Sequence, residues 1–330
     1  MIRGFARALL AASLAFGSAA QAMRTLEVIV FPGGFNWPLW VAADKGFFAA
    51  NGVEVRVTPT PNSVFQVQGL VAGKFDIAIS AIDNVVAYQE GQGEAELPTT
   101  PDLFAFMGGQ YGALRLVAAR EIEAIGGLKG KSLAVDAATT GYAFVLRKIL
   151  QRAGLAEGDY TLERLGGTAA RAEALMQGKT SATILTTPLE IAPESKGFRR
   201  LANAVDALGP YQAVVGVARR SWARENEPAL VGYIRAHVAA LDWLFDPANR
   251  IEAIAIYRRN LPAATEASAA KALDLLTSGE GFQRRGKIDL EGVRTVLALR
   301  SEYGRPSKKL DDPSKYIDET YYEKATLAPR

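Results

Sequence analysis

Short apolar runs alternate with helix-like segments along most of this chain, and that alternation limits the fold more than any other feature. Strand-like runs are predicted at 26–31, 53–57, 75–80, 132–135, 161–165, 181–185 and 212–218. The segments between them carry apolar residues at helical spacing, and several end at a glycine, which accepts the left-handed backbone of a helix C-terminus. Strands that alternate with helices indicate parallel sheets covered by helices on both faces. The sequence therefore predicts an α/β fold.

The alternation falls into two series, and 330 residues are enough for about two domains. The second series starts near Leu116, and the chain becomes mostly helical after residue 218. Since no low-complexity linker joins the series, we expect two compact lobes with short crossings that act as hinges. The cleft between such lobes is the default ligand site.

Local signals set the bounds of several helices. The clearest periodicity runs from Tyr142 to Ala153 and stops at Gly154. Ser63 and Gln66 are spaced like a capping box, Asp83 or Asn84 is expected to cap the next helix, and one helix is predicted from Ser221 to Phe245.

The first 22 residues have the order of a secretory signal peptide. Arg3 and Arg7 precede an apolar core, and Ala20-Gln21-Ala22 supplies the small residues of a cleavage site. We expect cleavage after Ala22 and export to the periplasm. A buried N-terminal helix is the alternative, but no amphipathic pattern accompanies the run.

The absence of cysteine excludes thiol catalysis, Cys-ligated zinc, iron–sulfur clusters and disulfides. A single histidine, His237, leaves little support for imidazole-rich metal sites or for a Ser-His-Asp triad. A packed or rim position is the favoured interpretation of His237. We therefore expect no catalytic residue, no metal and no cofactor.

The charge balance gives no general attraction to polyanions. Lys and Arg number 38 against 35 Asp and Glu, and Arg3 and Arg7 would leave with the signal peptide. The longest apolar run, 8–20, is shorter than the ~20 residues that a membrane-spanning helix needs. We expect no nucleic-acid partner and no stable membrane insertion.

Four motifs in fixed order carry a resemblance to a known family. They are NWPLWVAADKGFF at 36–48 with NGVEV at 51–55, GKFDIA at 73–78, LKGKSLAV at 128–135, and Gly166-Gly167-Thr168 followed by Arg171 through Gly178. Together they resemble the nitrate, sulfonate, taurine and thiamine-precursor group of ABC-transporter substrate-binding proteins. The acidic residue usual after Gly178 is replaced by KTSA at 179–182, so the ligand class is not carried over.

The resemblance implies a type II periplasmic-binding-protein fold with two doubly wound lobes and a hinged interlobe cleft. It places the first lobe at 23–114 and 213–330 and the second lobe at 115–212. It also implies a monomer that grips a small-molecule ligand in the cleft and delivers it to an ABC permease with its ATPase.

Ligands of doubly wound sheets lie at the carboxyl ends of strands, so candidate ligand-binding residues are those that follow each strand. Two or more interpretations stay open for most of them: Phe35 and Trp37 line a pocket or pack inward, Ser80 and Asp83 contact ligand or cap a helix, and Tyr142 contacts ligand or packs in the core. The candidates are Phe35, Asn36, Trp37, Ser80, Ala81, Asp83, Gln110, Tyr111, Thr139, Thr140, Gly141, Tyr142, Arg171, Thr186, Thr187, Tyr211 and Gln212.

Three groups of candidates have specific chemistry. The hydroxyl and N–H groups of 139–142 precede the strongest helix and are placed to hold an anionic oxygen. Arg171 stands early in a helix, where the dipole disfavours a cation; a solvated surface position is the favoured interpretation and contact with an anionic ligand the alternative. Gln110-Tyr111 and Tyr211-Gln212 flank the predicted crossings and contact ligand or form hinge turns.

The leading functional hypothesis is capture of a small organic, anionic or aromatic solute for an ABC importer. Two alternatives stay open: an enzyme on the same fold, of the thiamine-pyrimidine synthase or menaquinone-pathway lyase type, and a periplasmic sensor module. Under the leading hypothesis, Trp37→Ala is expected to remove most of the stabilisation by ligand and to leave the fold intact.

Overall fold

The computed structural model describes residues 23–327, so the predicted signal peptide lies outside the described residues. The strands are β1 (Arg24–Val30), β2 (Val53–Pro59), β3 (Ile77–Ala81), β4 (Leu103–Tyr111), β5 (Leu114–Ala118), β6 (Ser132–Val135), β7 (Thr161–Arg164), β8 (Ala182–Thr186), β9 (Arg199–Asn203) and β10 (Gln212–Arg219). The helices are α1 (Trp37–Asp44), α2 (Phe47–Ala50), α3 (Ser63–Val71), α4 (Ile82–Gln89), α5 (Gly141–Arg152), α6 (Thr168–Met176), α7 (Ile191–Ser195), α8 (Ala204–Leu208), α9 (Arg220–Glu225), α10 (Glu227–Leu244), α11 (Arg250–Asn260), α12 (Glu266–Leu276), α13 (Leu290–Tyr303) and α14 (Thr320–Thr326).

The strands form two five-stranded sheets of the same layout. Their orders are β2-β1-β3-β10-β4 and β7-β6-β8-β5-β9. We call the first sheet with its helices lobe 1 and the second sheet with its helices lobe 2. The α/β class and the two-lobed architecture predicted above are confirmed, while the domain boundaries stay a prediction.

One strand of each sheet runs antiparallel to its neighbours, so the sheets predicted to be parallel are mixed, with the other strands parallel to one another. β10 is antiparallel to β3 and β4, and β5 is antiparallel to β8 and β9. These are the two strands that the chain enters directly after crossing from the other lobe, β5 after β4 and β10 after β9 and α8. β5 and β10 each begin at the edge of their sheet that faces the other lobe. The remaining strands of each sheet end at that edge, so β5 and β10 run antiparallel to them.

Glycine and asparagine determine several helix ends. α5 stops before Gly154, whose φ of 86° is the left-handed conformation expected there. The helical segment between β1 and β2 is divided into α1 and α2 near Gly46, which has a φ of 70°. The helix predicted from Ser221 is also two helices, α9 and α10, separated at Asn226.

Two predicted caps are wrong. α3 is capped by Asn62, whose side chain accepts from the N–H of Phe65, while Gln66 turns inward to the strand carbonyls of Ile29 and Ile79. The N-cap of α4 is Ala81, so Asp83 lies inside the first turn and its carboxylate is free to bond elsewhere.

The C-terminal helices complete lobe 1 and reach lobe 2. α10 packs on α1 and α2, and α14 packs on α10 and β4. α13 lies against both α4 and α5, and so it contacts the two lobes at once. Within 23–327, no helix is long and apolar enough to cross a bilayer.

Candidate functional site

A cavity lies between the lobes and is lined by both of them. Its walls come from the ends of strands: Phe31 follows β1, Ser80 and Ala81 end β3, Asp136 follows β6, and Thr186 ends β8. The carboxyl ends of strands from two sheets therefore meet at one place, where α/β folds bind ligands. Of the predicted residues, those that line this cavity are Phe35, Ser80, Ala81, Asp83, Thr140, Gly141, Tyr142, Arg171 and Thr186.

Arg171 contributes a buried positive charge to the wall of the cavity. The residue is 2 % exposed, so its favoured interpretation as a surface arginine is wrong. Its Nε donates to the Thr183 hydroxyl at 3.0 Å, and its Nη1 donates to the Gly166 carbonyl at 2.8 Å. Its Nη2 donates to the Thr168 hydroxyl at 3.3 Å and to the Ile184 carbonyl at 3.1 Å.

All of these partners are neutral oxygens, and in the described part of the chain Arg171 forms no salt bridge. Burial lowers the pKa of the Arg171 guanidinium, with Asp136 and Tyr142 opposing that shift. Because arginine stays protonated in proteins, the site keeps a desolvated cation whose hydrogen bonds orient it but do not neutralise it.

Asp136 is the charged group that faces Arg171 from the same lobe. Its Oδ2 accepts from the backbone N–H of Ser63 in lobe 1 at 3.0 Å. Its Oδ1 is buried and has no hydrogen-bond partner among residues 23–327. Asp136 therefore offers a ligand one acceptor oxygen, beside the cation of Arg171.

Aromatic and apolar side chains supply most of the remaining surface. Phe31 and Phe35 come from lobe 1 and Tyr142 from lobe 2, with Ile79 and Val214 beside them. Burial raises the pKa of Tyr142 to about 12, a shift that hydrogen bonding with Thr186 opposes, so its hydroxyl stays protonated at neutral pH. Rings on both lobes can enclose a planar or apolar ligand body.

The N-terminus of α5, predicted to hold an anion, is already bonded to a carboxylate of the protein. The N–H of Gly141 donates to Asp83 Oδ2 at 2.7 Å, and the Thr140 hydroxyl donates to the carbonyl of Ala137. Asp83 in turn accepts from Nε and Nη2 of Arg300 at 2.6 and 2.7 Å. The first N–H group of α5 is therefore bonded to Asp83.

A family model described as NMT1/THI5 like matches residues 36–249, which is more than half of the chain. The chain belongs to the NMT1/THI5-like family. The matched segment contains Arg171, Asp136 and the strand ends that build the cavity. The resemblance stated from the four sequence motifs is thereby confirmed.

Solved structures share the family's fold across nearly the whole chain. A protein from Bordetella bronchiseptica RB50 is 20 % identical, with a TM-score of 0.77, over 92 % of this chain and 97 % of that one. The periplasmic nitrate-binding protein NrtA of Synechocystis PCC 6803 is 14 % identical, with a TM-score of 0.77, over 93 % and 89 %. The periplasmic aliphatic sulphonate binding protein SsuA of Escherichia coli is 18 % identical, with a TM-score of 0.65, over 91 % and 100 %. A search of curated proteins found no match.

Trp37 and Asn36 lie outside the cavity, in the core of lobe 1. Trp37 is 0 % exposed, its indole N–H donates to the carbonyl of Ala253, and its ring lies 4.3 Å from that of Tyr257. Asn36 donates to the carbonyl of Phe31 at 2.7 Å and so holds the end of β1. The expectation that Trp37→Ala leaves the fold intact does not fit this packing.

The remaining candidates hold the crossings between the lobes together. Gln110 donates to the Thr187 carbonyl at 2.9 Å, and the Thr187 hydroxyl donates to Glu190 at 2.7 Å. Gln212 donates to the Gln110 carbonyl, which joins the two crossings. Tyr111 and Tyr211 line a second cavity at the crossings. Thr139 makes a different contact, because its hydroxyl donates to the carboxylate of Glu94.

Several residues of the cavity were not among the candidates. They are Phe31, Ile79, Asn84, Asp136, Gly167, Thr168 and Val214. Phe31 is the last residue of one predicted strand and Asp136 directly follows another, so a search of both the ends of the predicted strands and the residues after them would have found the two. Ile79 and Val214 lie within strands, where nothing in the sequence separates a cavity wall from the core.

Proposed function

We propose that this protein is the solute-binding component of an ABC importer and captures a small organic anion between its lobes. The observation that carries the proposal is the buried cation of Arg171, which lies in a cavity enclosed by both lobes. A desolvated charge without a salt bridge costs free energy that an anionic ligand recovers. The names of two structural neighbours, nitrate-binding and sulphonate-binding, agree with an anion.

The expected affinity can be built from two contributions. A hydrogen bond to a charged group contributes ~1.5 to 3 kcal/mol, whereas micromolar affinity needs about 8 kcal/mol. Burial of ligand carbon against Phe31, Phe35 and Tyr142 at about 25 cal/mol per Å² must supply the rest. The solute is therefore an anion with an apolar or aromatic body rather than a bare inorganic ion.

Capture requires the lobes to separate and close again. A solute that contacts both lobes favours the closed arrangement by the difference between its affinities for the two states. The closed protein then delivers the solute to a permease with its ATPase. We propose that the mature protein is a monomer of the periplasm, exported by residues 1–22, and that it returns its solute chemically unchanged.

A thermal-shift screen of the mature protein tests this role. The panel contains aromatic carboxylates, aliphatic and aromatic sulfonates, nitrate and pyrimidines, each with an uncharged analogue of the same body. A solute at 100 times its Kd stabilises the native state by ~2.7 kcal/mol. Stabilisation by an organic anion, absent with its uncharged analogue, supports the proposal. Chemical conversion of the bound solute, detected by mass spectrometry after incubation, contradicts it.

A further inference from the structure

Two carboxylates reach across the cleft, and each meets the first residue of a helix in the other lobe. Asp83 of lobe 1 accepts from the N–H of Gly141, where α5 begins, at 2.7 Å. Asp136 of lobe 2 accepts from the N–H of Ser63, where α3 begins, at 3.0 Å. In both contacts a negative charge faces the positive end of a helix. We call these two contacts the interlobe caps.

Each interlobe cap supplies a bond that the helix does not make with its own residues. Within the described chain, α5 has no side-chain cap of its own, since the hydroxyl of its N-cap residue Thr140 donates backwards to Ala137. α3 is capped by Asn62 at the N–H of Phe65, which leaves the N–H of Ser63 for Asp136. The helices therefore obtain these acceptors only when the lobes meet.

The Asp83 cap is held in a fixed position and fits tightly. Arg300 is 0 % exposed, holds both oxygens of Asp83 and also donates to the Thr139 carbonyl of lobe 2 at 2.5 Å. A Cβ added at Gly141 would lie 2.4 Å from Cγ of Asp83. Only glycine at this position lets α5 approach the carboxylate this closely.

We propose that Asp83 and Asp136 are positioning residues that hold the cleft closed through the interlobe caps, and that this closure forms without a solute. The inference rests on the proposed function, because closure is what retains a captured solute. It also locates recognition: the first N–H groups of α3 and α5 are bonded to protein carboxylates, so the anionic group of the solute pairs with Arg171.

The distance between the lobes can be measured directly because the chain has no cysteine. Ala72 in lobe 1 and Ala170 in lobe 2 are exposed, and cysteines at these two positions carry spin labels without any competing thiol. Pulsed electron paramagnetic resonance on the ligand-free mature protein then reports the distribution of interlobe distances. The same label pair is placed in each variant below.

Gly141→Ala is the decisive variant, and Gly126→Ala is its control. Alanine suits the first turn of a helix, so α5 and lobe 2 stay folded, whereas the added methyl group collides with Asp83. Gly126 lies in the same lobe, and a Cβ there has no described atom within 4 Å. We expect a single short distance in the wild type and in Gly126→Ala, and a shift to longer, broader distances in Gly141→Ala.

Asp136→Asn tests the second cap without steric change. Loss of the negative charge at the α3 terminus is expected to add a long-distance population, smaller than that of Gly141→Ala. Where the closed fraction falls about tenfold, the apparent affinity for any solute falls by the same factor.

Two results overturn the inference: a wild-type ligand-free protein that is entirely open, or Gly141→Ala with the same distances as Gly126→Ala. Neither result depends on a known solute. If the distances behave as expected and no solute binds, the interlobe caps stand and the proposed function fails.

Discussion

Replacement of Arg171 by methionine removes the charge of the proposed solute site and keeps an apolar side chain of similar length. In the native protein the guanidinium is 2 % exposed and bonded only to neutral oxygens of Thr183, Gly166, Thr168 and Ile184. The variant loses those hydrogen bonds of a charged group, at ~1.5 to 3 kcal/mol each. It also loses the desolvation cost of the cation, several kcal/mol, which offsets much of that loss, so we expect the fold to survive with lower stability.

Solute binding, by contrast, loses a charged hydrogen bond of ~1.5 to 3 kcal/mol, which corresponds to a rise in Kd of about 10- to 150-fold. The assay is isothermal titration calorimetry with the best anion from the screen and with its uncharged analogue. Arg199→Met is the matched control, because Arg199 is an exposed arginine of lobe 2 paired with Glu123 at 3.2 Å.

Three results together would support the role of Arg171: a large loss for the anion, little change for the uncharged analogue, and wild-type binding in Arg199→Met. An Arg171→Met protein that unfolds at the same urea concentration as wild type and binds the anion within twofold of wild-type affinity would refute the reasoning.

Three further predictions concern other positions. Trp37→Ala should lower the free energy of unfolding by ~3 to 5 kcal/mol in urea titrations without solute. Trp40→Ala, at a half-buried position, should lower it by less. An equal loss in the two variants would contradict the placement of Trp37 in the core. Burial lowers the pKa of His237 from 6.5 to about 4, so the unfolded chain binds this proton more tightly than the folded protein does. The stability that depends on neutral His237 is therefore complete above pH 6.5 and is lost as the pH falls toward 4. His237→Phe should flatten this part of the plot of urea midpoint against pH; a plot parallel to that of the wild type would exclude His237 as the cause. Phe35→Leu should raise the Kd of aromatic solutes by about 2- to 12-fold, because ~0.5 to 1.5 kcal/mol of ring–ring contact is lost. The Kd of aliphatic anions should rise by less. Equal rises for both classes in calorimetry would argue against ring contact.

Local sequence signals predicted those parts of the fold that local physics controls. The apolar stripe that ends at Gly154 predicted α5 because helix periodicity and a left-handed glycine are properties of neighbouring residues. β4 was not predicted, since its glycines at 108 and 109 interrupt the pattern and its pairing partner, β10, follows about a hundred residues later. The direction of β5 and β10 depends on which lobe the chain comes from, and no local pattern records that.

The site shows the same division between local and distant effects. Many of the residues that line the cavity lie at predicted strand ends. The helix N-terminus preceded by two threonines was expected to hold an anionic oxygen of a ligand, and a negative charge does lie there, but it belongs to the protein. The sequence could not reveal that Asp83, 58 residues away, supplies that charge. Arg171 was favoured as a surface residue because its burial depends on oxygens of β8 and of the turn at Gly166, which only the folded lobe brings together.

A crystal structure of the mature protein with the tightest organic anion from the screen tests the central claim most directly. The account predicts the solute between the lobes, with its anionic group bonded to Arg171 and its body against Tyr142 and the phenylalanine rings of lobe 1. A solute bound outside this cavity, or one inside it whose charged group does not contact Arg171, would contradict the account.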